Sequence, residues 1–168
     1  FDLEAVRMFM LSAHYRSPVN FSRELIAQAA SSLERLYGAR DQLAFLEGTA
    51  QEREPNAEEL AFMAEADRAL DKFNDAMDDD LNTADALGAM FELAREVFRL
   101  PQTGVSRKAL AHGQKILLGM TGVLGLFMKQ ADGVTPEVQA MMDERAQARA
   151  NKNWKRSDEL RDQIKAAG

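Results

Sequence analysis

The stretch SRELIAQAASSLERLYGARDQLAFL, from Ser22 to Leu46, determines the fold class predicted for the sequence. Its apolar side chains recur with heptad spacing, at Ile26, Ala29, Leu33, Leu36 and Leu43. This spacing places them on one face of a helix, as is typical of a helix packed in a bundle. Ser22 is a suitable N-cap, because its hydroxyl can accept a hydrogen bond from a first-turn N–H. The stretch therefore predicts a long amphipathic helix that needs partners.

Three further helices with apolar stripes are predicted after it, and a shorter one, from about Leu3 to His14, before it. Asn56 and Glu59 resemble a capping box, Asn82-Thr83 precedes the next helix, and Ser106 can cap the last. We expect the three helices to bury Leu60, Met63, Leu70, Phe73 and Met77; Leu87, Phe91, Ala94 and Phe98; and Leu110, Gly113, Leu117, Met120, Leu124 and Phe127. Short or polar links join them. The fold class is therefore all-α, an antiparallel helical bundle.

The sequence changes character after the bundle. Thr135-Pro136 predicts the start of a helix that runs to about Ala150, and a break at 151–153 precedes a last helix from Trp154 to about Ala167. Within that last helix we expect Leu160, Ile164 and Ala167 to pack inward. The chain thus divides into a connector helix at 1–22, a bundle at 23–130 and a short helical C-terminal appendage at 137–168.

Charge is distributed unevenly along the chain. The net charge is −6, but residues 51–100 contain 14 acidic and 5 basic residues, whereas residues 145–168 contain 7 basic and 3 acidic ones. A local basic face can bind phosphate groups while the rest of the surface sets solubility. An acidic protein overall is therefore compatible with a nucleic-acid partner at residues 145–168.

The basic segment around the single tryptophan is the candidate RNA contact. Basic groups provide salt-dependent contacts with phosphates, and an aromatic ring can stack on an unpaired base. The candidate residues are Arg149, Lys152, Trp154, Lys155, Arg156, Arg161 and Lys165. The alternative is a solvated charged face with Trp154 as a hydrophobic lid on the helical core, and for Trp154 alone the lid is the favoured interpretation.

Several classes of site are excluded by residue type. The chain has no cysteine and only two histidines, His14 and His112, so it has no disulfide, no thiolate metal site, no cysteine nucleophile and no zinc-ligand set. We expect neither catalytic nor metal-binding residues. The lack of cysteine fits a cytoplasmic protein, and no apolar run approaches the roughly 20 residues of a membrane span. Phe1 to Glu4 has neither an initiator Met nor the features of a signal peptide, so we expect the chain to begin within a longer protein.

Two motifs that suggest a ligand have simpler explanations. Asp78-Asp79-Asp80 does not start an EF-hand loop, because Thr83 and Ala89 stand where Gly and Glu are required. We expect these acids to lie near the N-terminus of the following helix, capped by Asn82 or Thr83. The glycine-rich run from Gly119 to Gly125 lacks the spacing of a P-loop, and we expect its small residues to allow close helix packing.

Four stretches resemble the cysteinyl-tRNA synthetase family, a class I aminoacyl-tRNA synthetase family, in the same order. They are FDLEAVRMFMLSAHYRSPVNFS at 1–22, residues 30–37 with LERLY as their most recognisable part, FNDAMDDDLNTADAL at 73–87 with FELARE at 91–96, and residues 145–164 with ANKNW and DELRD at their centre. The resemblance places the chain after the family's KMSKS loop. The third stretch resembles a DALR-type anticodon-binding bundle, although Gly88 departs from the last of those four letters.

The resemblance implies a tRNA-binding region that contacts the anticodon arm, with 137–168 as the start of the C-terminal anticodon-binding domain. The full enzyme joins cysteine to its tRNA with ATP, magnesium and a zinc ion. Its HIGH motif, KMSKS loop and zinc site would lie before Phe1, so we expect no cofactor here and no aminoacylation by this chain alone. The implied partners are cysteine-specific tRNA and the family's N-terminal catalytic domain, with no membrane and no DNA.

His14 and Arg16 are a second candidate contact, with the inner corner of the tRNA. The alternative is structural, since His and Arg at a helix end can satisfy terminal carbonyls. Two other functions also stay open for the chain. A related cysteine ligase that acts on an amino sugar shares the first and third stretches but does not need the basic Trp154 segment. A non-enzymatic helical interaction module would show the same heptads.

Overall fold

The computed structural model describes residues 2–128, 140, 141, 144, 145, 148 and 154–167, with the backbone alone at 154, 155, 162 and 164–167. The helices in this part of the chain are α1 (Leu3–Leu11), α2 (Arg23–Glu47), α3 (Ala57–Asp78), α4 (Thr83–Arg99), α5 (Arg107–Leu124) and α6 (Trp154–Ala167). The described residues form no β-strand beyond one isolated bridge, between Gln51 and Ser106. The all-α prediction is confirmed. The chain divides into two compact units, the bundle unit (1–128) and the C-terminal unit (129–168).

Each helix of the bundle unit begins at a side-chain cap. A carboxylate, hydroxyl or amide oxygen accepts a hydrogen bond from an otherwise unpaired first-turn N–H. The caps are Asp2, Ser22, Asn56, Asn82 and Ser106, with distances of 2.8–3.3 Å. Asn56 and Glu59 complete the predicted capping box, because the Glu59 carboxylate also accepts from the Asn56 N–H at 2.8 Å. The four caps predicted from the sequence are therefore confirmed.

The core of the bundle unit is one cluster of buried side chains contributed by α1, α2, α3, α4 and α5. All the heptad positions of α2 are buried, and so are the predicted ones of α5 up to Leu124. The largest fully buried side chains of the bundle unit include Leu33, Leu36, Leu43, Met90, Leu93, Leu117 and Met120. Because α3 and α4 are joined only by residues 79–82 and pack along each other, these two helices run antiparallel.

The predicted stripes of α3 and α4 are partly wrong. Leu60 is 55% exposed and Phe98 is 49% exposed, and Met63, Leu70, Met77, Phe91 and Phe127 are only half-buried. The buried face of α3 instead carries Phe62, Ala66, Ala69 and Phe73. Alanines at the centre of this face let the neighbouring helices approach closely, so the larger side chains are displaced to its edges. The first helix is also shorter than expected: α1 ends at Leu11, whose carbonyl accepts a hydrogen bond from the Thr83 hydroxyl at 2.8 Å.

Close helix packing occurs at a different glycine from the ones expected. A Cβ atom at Gly113 would lie 2.6 Å from Cζ of Phe62, so this position between α5 and α3 accepts no side chain. Gly119 and Gly122 are exposed and face open space, so the packing role expected of them is wrong. Gly125 has φ +63° and ends α5 in the left-handed conformation that favours glycine.

A buried ion pair joins the α2–α3 loop to the α4–α5 loop. Arg53 donates to both carboxylate oxygens of Glu59 at 2.7 Å and to the Gly104 carbonyl at 2.8 Å. The same carboxylate, which is 2% exposed, accepts from the Ser106 N–H at 2.9 Å. These hydrogen bonds, those from Arg53 above all, lower the pKa of Glu59 to about 2. The two loops are therefore held together by one fully bonded carboxylate.

The core assignment predicts the cost of removing a buried leucine. Leu→Ala at Leu33, Leu117 or Leu124 should lower the free energy of unfolding by about 2–5 kcal/mol, because each leaves a cavity in a packed interior. Leu60→Ala is the matched control, since the same change at an exposed helical position should cost less than about 0.5 kcal/mol. Urea melts of the four variants measure this. Losses at all three core positions as small as that of the control would contradict the assignment.

The Glu59 ion pair predicts a specific acid sensitivity. Because the folded-state pKa is about 2 and the unfolded value is about 4.3, this group stabilises the fold fully above about pH 5 and loses its contribution towards pH 2. Between pH 7 and pH 2.5, the free energy of unfolding of the wild type should therefore fall by on the order of 2–3 kcal/mol more than that of Glu59→Gln. Urea melts at the two pH values test it, with Glu58→Gln, an exposed neighbour, as control. An equal acid loss in wild type and Glu59→Gln would refute the assignment.

Candidate nucleic-acid interface

The last helix, α6, has a buried side and a charged side. Leu160 is 1% exposed and Ser157 is 4% exposed, whereas Asp158, Glu159 and Arg161 are exposed. The inward packing expected of Leu160 is confirmed, and the side chains of Ile164 and Ala167 lie outside the described residues. Burial of Ser157 was not predicted, because a serine between charged residues gives no apolar signal. The charged face of α6 is thus the solvent-facing one.

The two cations of this face whose side chains the structure describes, Arg156 and Arg161, are paired with carboxylates. Arg156 donates to Glu144 through Nε at 2.9 Å and Nη2 at 2.8 Å, and it lies 3.5 Å from Glu159. The hydrogen bonds that Arg156 donates to Glu144 raise the pKa of Arg156 above its ordinary value. Arg161 lies 3.2 Å from Asp158 in the same helix. A phosphate group that reaches either guanidinium therefore has to compete with a carboxylate already in place.

The other candidate residues are described in less detail. Arg149 and Lys152 lie outside the described residues. The backbones of Trp154, Lys155 and Lys165 are helical, and their side chains are not described. The structure therefore places Arg156 and Arg161 on one helix with Trp154, Lys155 and Lys165. Sequence reasoning missed Glu144 as a partner of this helix, because it lies twelve residues before Arg156 and outside α6.

His14 and Arg16 meet at a corner of the bundle unit, around the carboxylate of Asp80. The Tyr15 hydroxyl donates to Asp80 at 2.8 Å, and Arg16 Nη2 lies 3.0 Å from the same carboxylate. The His14 ring stacks on Tyr15 with a centroid distance of 4.8 Å, and the Arg16 guanidinium lies over Tyr15 at 5.3 Å. The hydrogen bond to Asp80 is the main cause that raises the pKa of Tyr15. Tyr15 is 60% exposed, so this corner presents an aromatic ring with a cation above it.

The corner corrects the expectation for Asp78-Asp79-Asp80. Asp78 is the last residue of α3 and Asp79 is its C-cap. Asp80 contacts His14 and Arg16, in the segment between α1 and α2, rather than the start of α4. The acid in the first turn of α4 is Asp85, whose N–H bonds to the Asn82 side chain at 3.2 Å. Asp80 and Leu81 both have φ +56°, a left-handed conformation that is uncommon for residues other than glycine. Sequence reasoning missed Tyr15 and Asp80 as members of this cluster, although Tyr15 stands between the two residues it singled out.

In the part of the chain that the structure describes, metal-ligating side chains do not cluster. Within the described part of the chain, no group of three or more His, Asp or Glu side chains is arranged to hold a metal ion. These described residues do not supply the ligand set of a zinc ion. Of the helices the structure describes, none combines the length and the apolarity that a membrane span needs.

Two family models match consecutive parts of the chain. The model of the DALR domain matches residues 72–128, and that of the cysteinyl-tRNA ligase anticodon binding domain matches residues 131–168. The first match ends at Met128, where the bundle unit also ends. The second match contains every candidate residue of the basic segment.

Curated relatives match the chain from end to end. Cysteine–tRNA ligases from Lachnospira eligens and Symbiobacterium thermophilum are each 40% identical to it, over 100% of the chain and 36% of their own length. The corresponding ligase of Clostridioides difficile is 40% identical over 98% of the chain. The chain thus spans about a third of the length of these relatives. Two domain matches in sequence, together with relatives that align along the whole chain, show that it belongs to the cysteinyl-tRNA ligase family.

Proposed function

We propose that this chain binds cysteine-specific tRNA and contacts its anticodon arm, mainly through phosphates on the C-terminal unit. One observation carries the proposal: the anticodon-binding model matches residues 131–168, the part of the chain where basic residues concentrate. Basic groups at such a site release counterions from the RNA backbone when they bind it. The match also favours tRNA over an amino sugar as the partner.

The charge distribution supports one orientation of the RNA. Residues 145–168 contain 7 basic and 3 acidic residues, a net charge of +4, whereas residues 51–100 have a net charge of −9. An RNA backbone is attracted to the first region and repelled by the second, so the field orients the encounter as well as strengthening it. We expect this charge split to keep RNA away from the acidic surfaces of α3 and α4.

The corner at His14 and Arg16 is a second, weaker contact in this proposal. The side chain of Arg16 is 68% exposed, so it is accessible to a phosphate. Asp80 carries the opposite charge 3.0 Å away and offsets part of that attraction. The corner therefore helps to orient the tRNA more than it raises the affinity, because a paired cation on the surface adds little net attraction.

The relatives are cysteine–tRNA ligases about three times as long as this chain, which suggests the activity of a protein that contains this region. We propose that a protein containing this region ligates cysteine to its tRNA, with a catalytic domain that precedes this region as its partner. ATP, magnesium and zinc would act there, and no residue of this chain is assigned to them. Binding of cysteine-specific tRNA by the purified chain, compared with an unrelated tRNA and a protein-free control, tests the RNA-binding function directly.

Replacement of Lys152, Lys155 and Arg156 together by Ala should weaken binding of cognate and non-cognate tRNA alike. The plot of log affinity against log salt concentration should also flatten, by about one unit for each residue that meets a phosphate. Arg68, Lys72 and Arg95 of the bundle unit are exposed and paired with acids, so their triple Ala variant is a control with the same change in net charge. Titrations at several salt concentrations measure both slopes. An unchanged slope in the first variant would remove this segment from the binding site.

Trp154→Ala separates two roles of the single tryptophan. We expect its melting temperature to fall, with binding lost only through unfolding, because a large aromatic side chain at the border of a core buries much apolar surface. Thermal melts and tRNA titrations well below the melting temperature measure the two quantities separately. A loss of affinity at an unchanged melting temperature would contradict the lid and assign base stacking to Trp154.

A further inference from the structure

A buried carboxylate from α1 holds the chain where it leaves α5. Glu4 is 6% exposed, yet it lies in the first turn of α1, where acidic side chains ordinarily face solvent. Its carboxylate accepts from the Phe127 N–H at 2.6 Å, from the Met128 N–H at 3.4 Å and from the Tyr37 hydroxyl at 2.7 Å. A buried carboxylate is stable only where donors satisfy it. The buried Glu4 carboxylate thus needs the N–H groups of residues 127 and 128 as donors. The same hydrogen bonds hold the backbone of these two residues in place.

The backbone after α5 adopts a strained conformation, which the hydrogen bonds to Glu4 help to stabilise. Gly125 has φ +63°, and so does Phe127, where the left-handed conformation is costly because a side chain is present. The Leu126 N–H bonds back to the Thr121 carbonyl at 2.9 Å. The turn aims the N–H groups of the next two residues at α1. A strained conformation persists only where its surroundings fix it.

Side chains from two helices, α1 and α2, contact this turn. Arg7 of α1 donates to the Gly125 carbonyl. The Phe127 ring packs on Tyr37 of α2 with centroids 4.8 Å apart, and the Arg40 guanidinium lies over both rings, at 4.6 and 5.5 Å. Residues 125–128 are therefore held by hydrogen bonds from α1 and by ring contacts from α2.

We propose that Glu4, Arg7, Tyr37 and Arg40 form an exit clamp, a positioning device that fixes the backbone of residues 125–128 at the end of the bundle unit. The basic segment that follows then starts from one conformation of residues 125–128 rather than from many. Binding to RNA loses less conformational entropy when the chain that carries the contacts is already ordered. This consequence for RNA rests on the proposed function, whereas the clamp itself does not.

Glu4→Ala tests the clamp through amide hydrogen exchange. Loss of the acceptor should speed exchange at Phe127 and Met128 about tenfold or more, with the amides of Leu117 and Met120 unchanged. Tyr37→Phe, which keeps the ring and removes only the hydroxyl, should act in the same direction with a smaller effect. Glu24→Ala is the matched control, because Glu24 occupies the equivalent first-turn position of α2 and is exposed. Unchanged exchange at Phe127 and Met128 in both Glu4→Ala and Tyr37→Phe would overturn the clamp.

The positioning role has a separate readout. Glu4→Ala should weaken binding of cysteine-specific tRNA about threefold or more. Glu4→Gln should restore most of the affinity, because its amide oxygen can still accept from the Phe127 N–H. Faster exchange in Glu4→Ala with wild-type affinity would overturn the positioning role and leave only a structural contact. Absence of tRNA binding by the wild type would overturn the proposed function, and the exchange rates would still decide the clamp.

Discussion

The placement of α5 depends on two glutamates that belong to other helices. Glu59 of α3 accepts the N–H of Ser106, the N-cap of α5, and Glu4 of α1 accepts the N–H of Phe127, just past its end. Both carboxylates are buried, so neither can exchange its protein donors for water without opening the structure. Hydrophobic packing orients a helix by its apolar face but tolerates small shifts along the axis. Directional bonds at both ends remove that freedom and fix the register of α5 against its neighbours.

The two carboxylates achieve this in different ways. Glu59 is paired with Arg53, which also reaches the Gly104 carbonyl, so a single ion pair unites two loops that are far apart in sequence. The desolvation of that pair is offset by a complete set of hydrogen bonds, the condition under which removing one partner of a buried ion pair is strongly destabilising. Glu4 relies instead on a tyrosine hydroxyl and backbone N–H groups. The entry of α5 is therefore held by an ion pair, whereas its exit is held by hydrogen bonds.

The sequence correctly predicted the features that depend on neighbouring residues in the chain. The heptads of α2 and α5 and the caps at Ser22, Asn56, Asn82 and Ser106 depend on residues within one or two turns, and the structure contains them. The buried face of α3 was predicted poorly, because Ala66 and Ala69 owe their burial to the neighbouring helices rather than to their own hydrophobicity. Other partners lie outside any helical period: Phe127 for Glu4, Ser106 for Glu59, Tyr15 for Asp80 and Glu144 for Arg156. A charged residue gives no sign in the sequence of whether it will be buried, since that depends on donors from distant segments. The candidate site was accordingly predicted as a list of cations without the carboxylates that pair with them.

The carboxylates paired with the arginines of α6 affect how this helix would bind a polyanion such as RNA. Arg156 is held by Glu144 and Glu159, and Arg161 is held by Asp158, so each guanidinium is already oriented for the RNA contact proposed above. Orientation lowers the entropy that a long side chain loses on binding, whereas displacement of a carboxylate costs part of the Coulomb attraction. A single phosphate therefore gains little from such a cation. Several phosphates of one RNA backbone would gain more in the proposed complex, because each neutralised phosphate releases further counterions. Paired cations of this kind thus favour an RNA backbone whose shape matches the helix over any isolated anion.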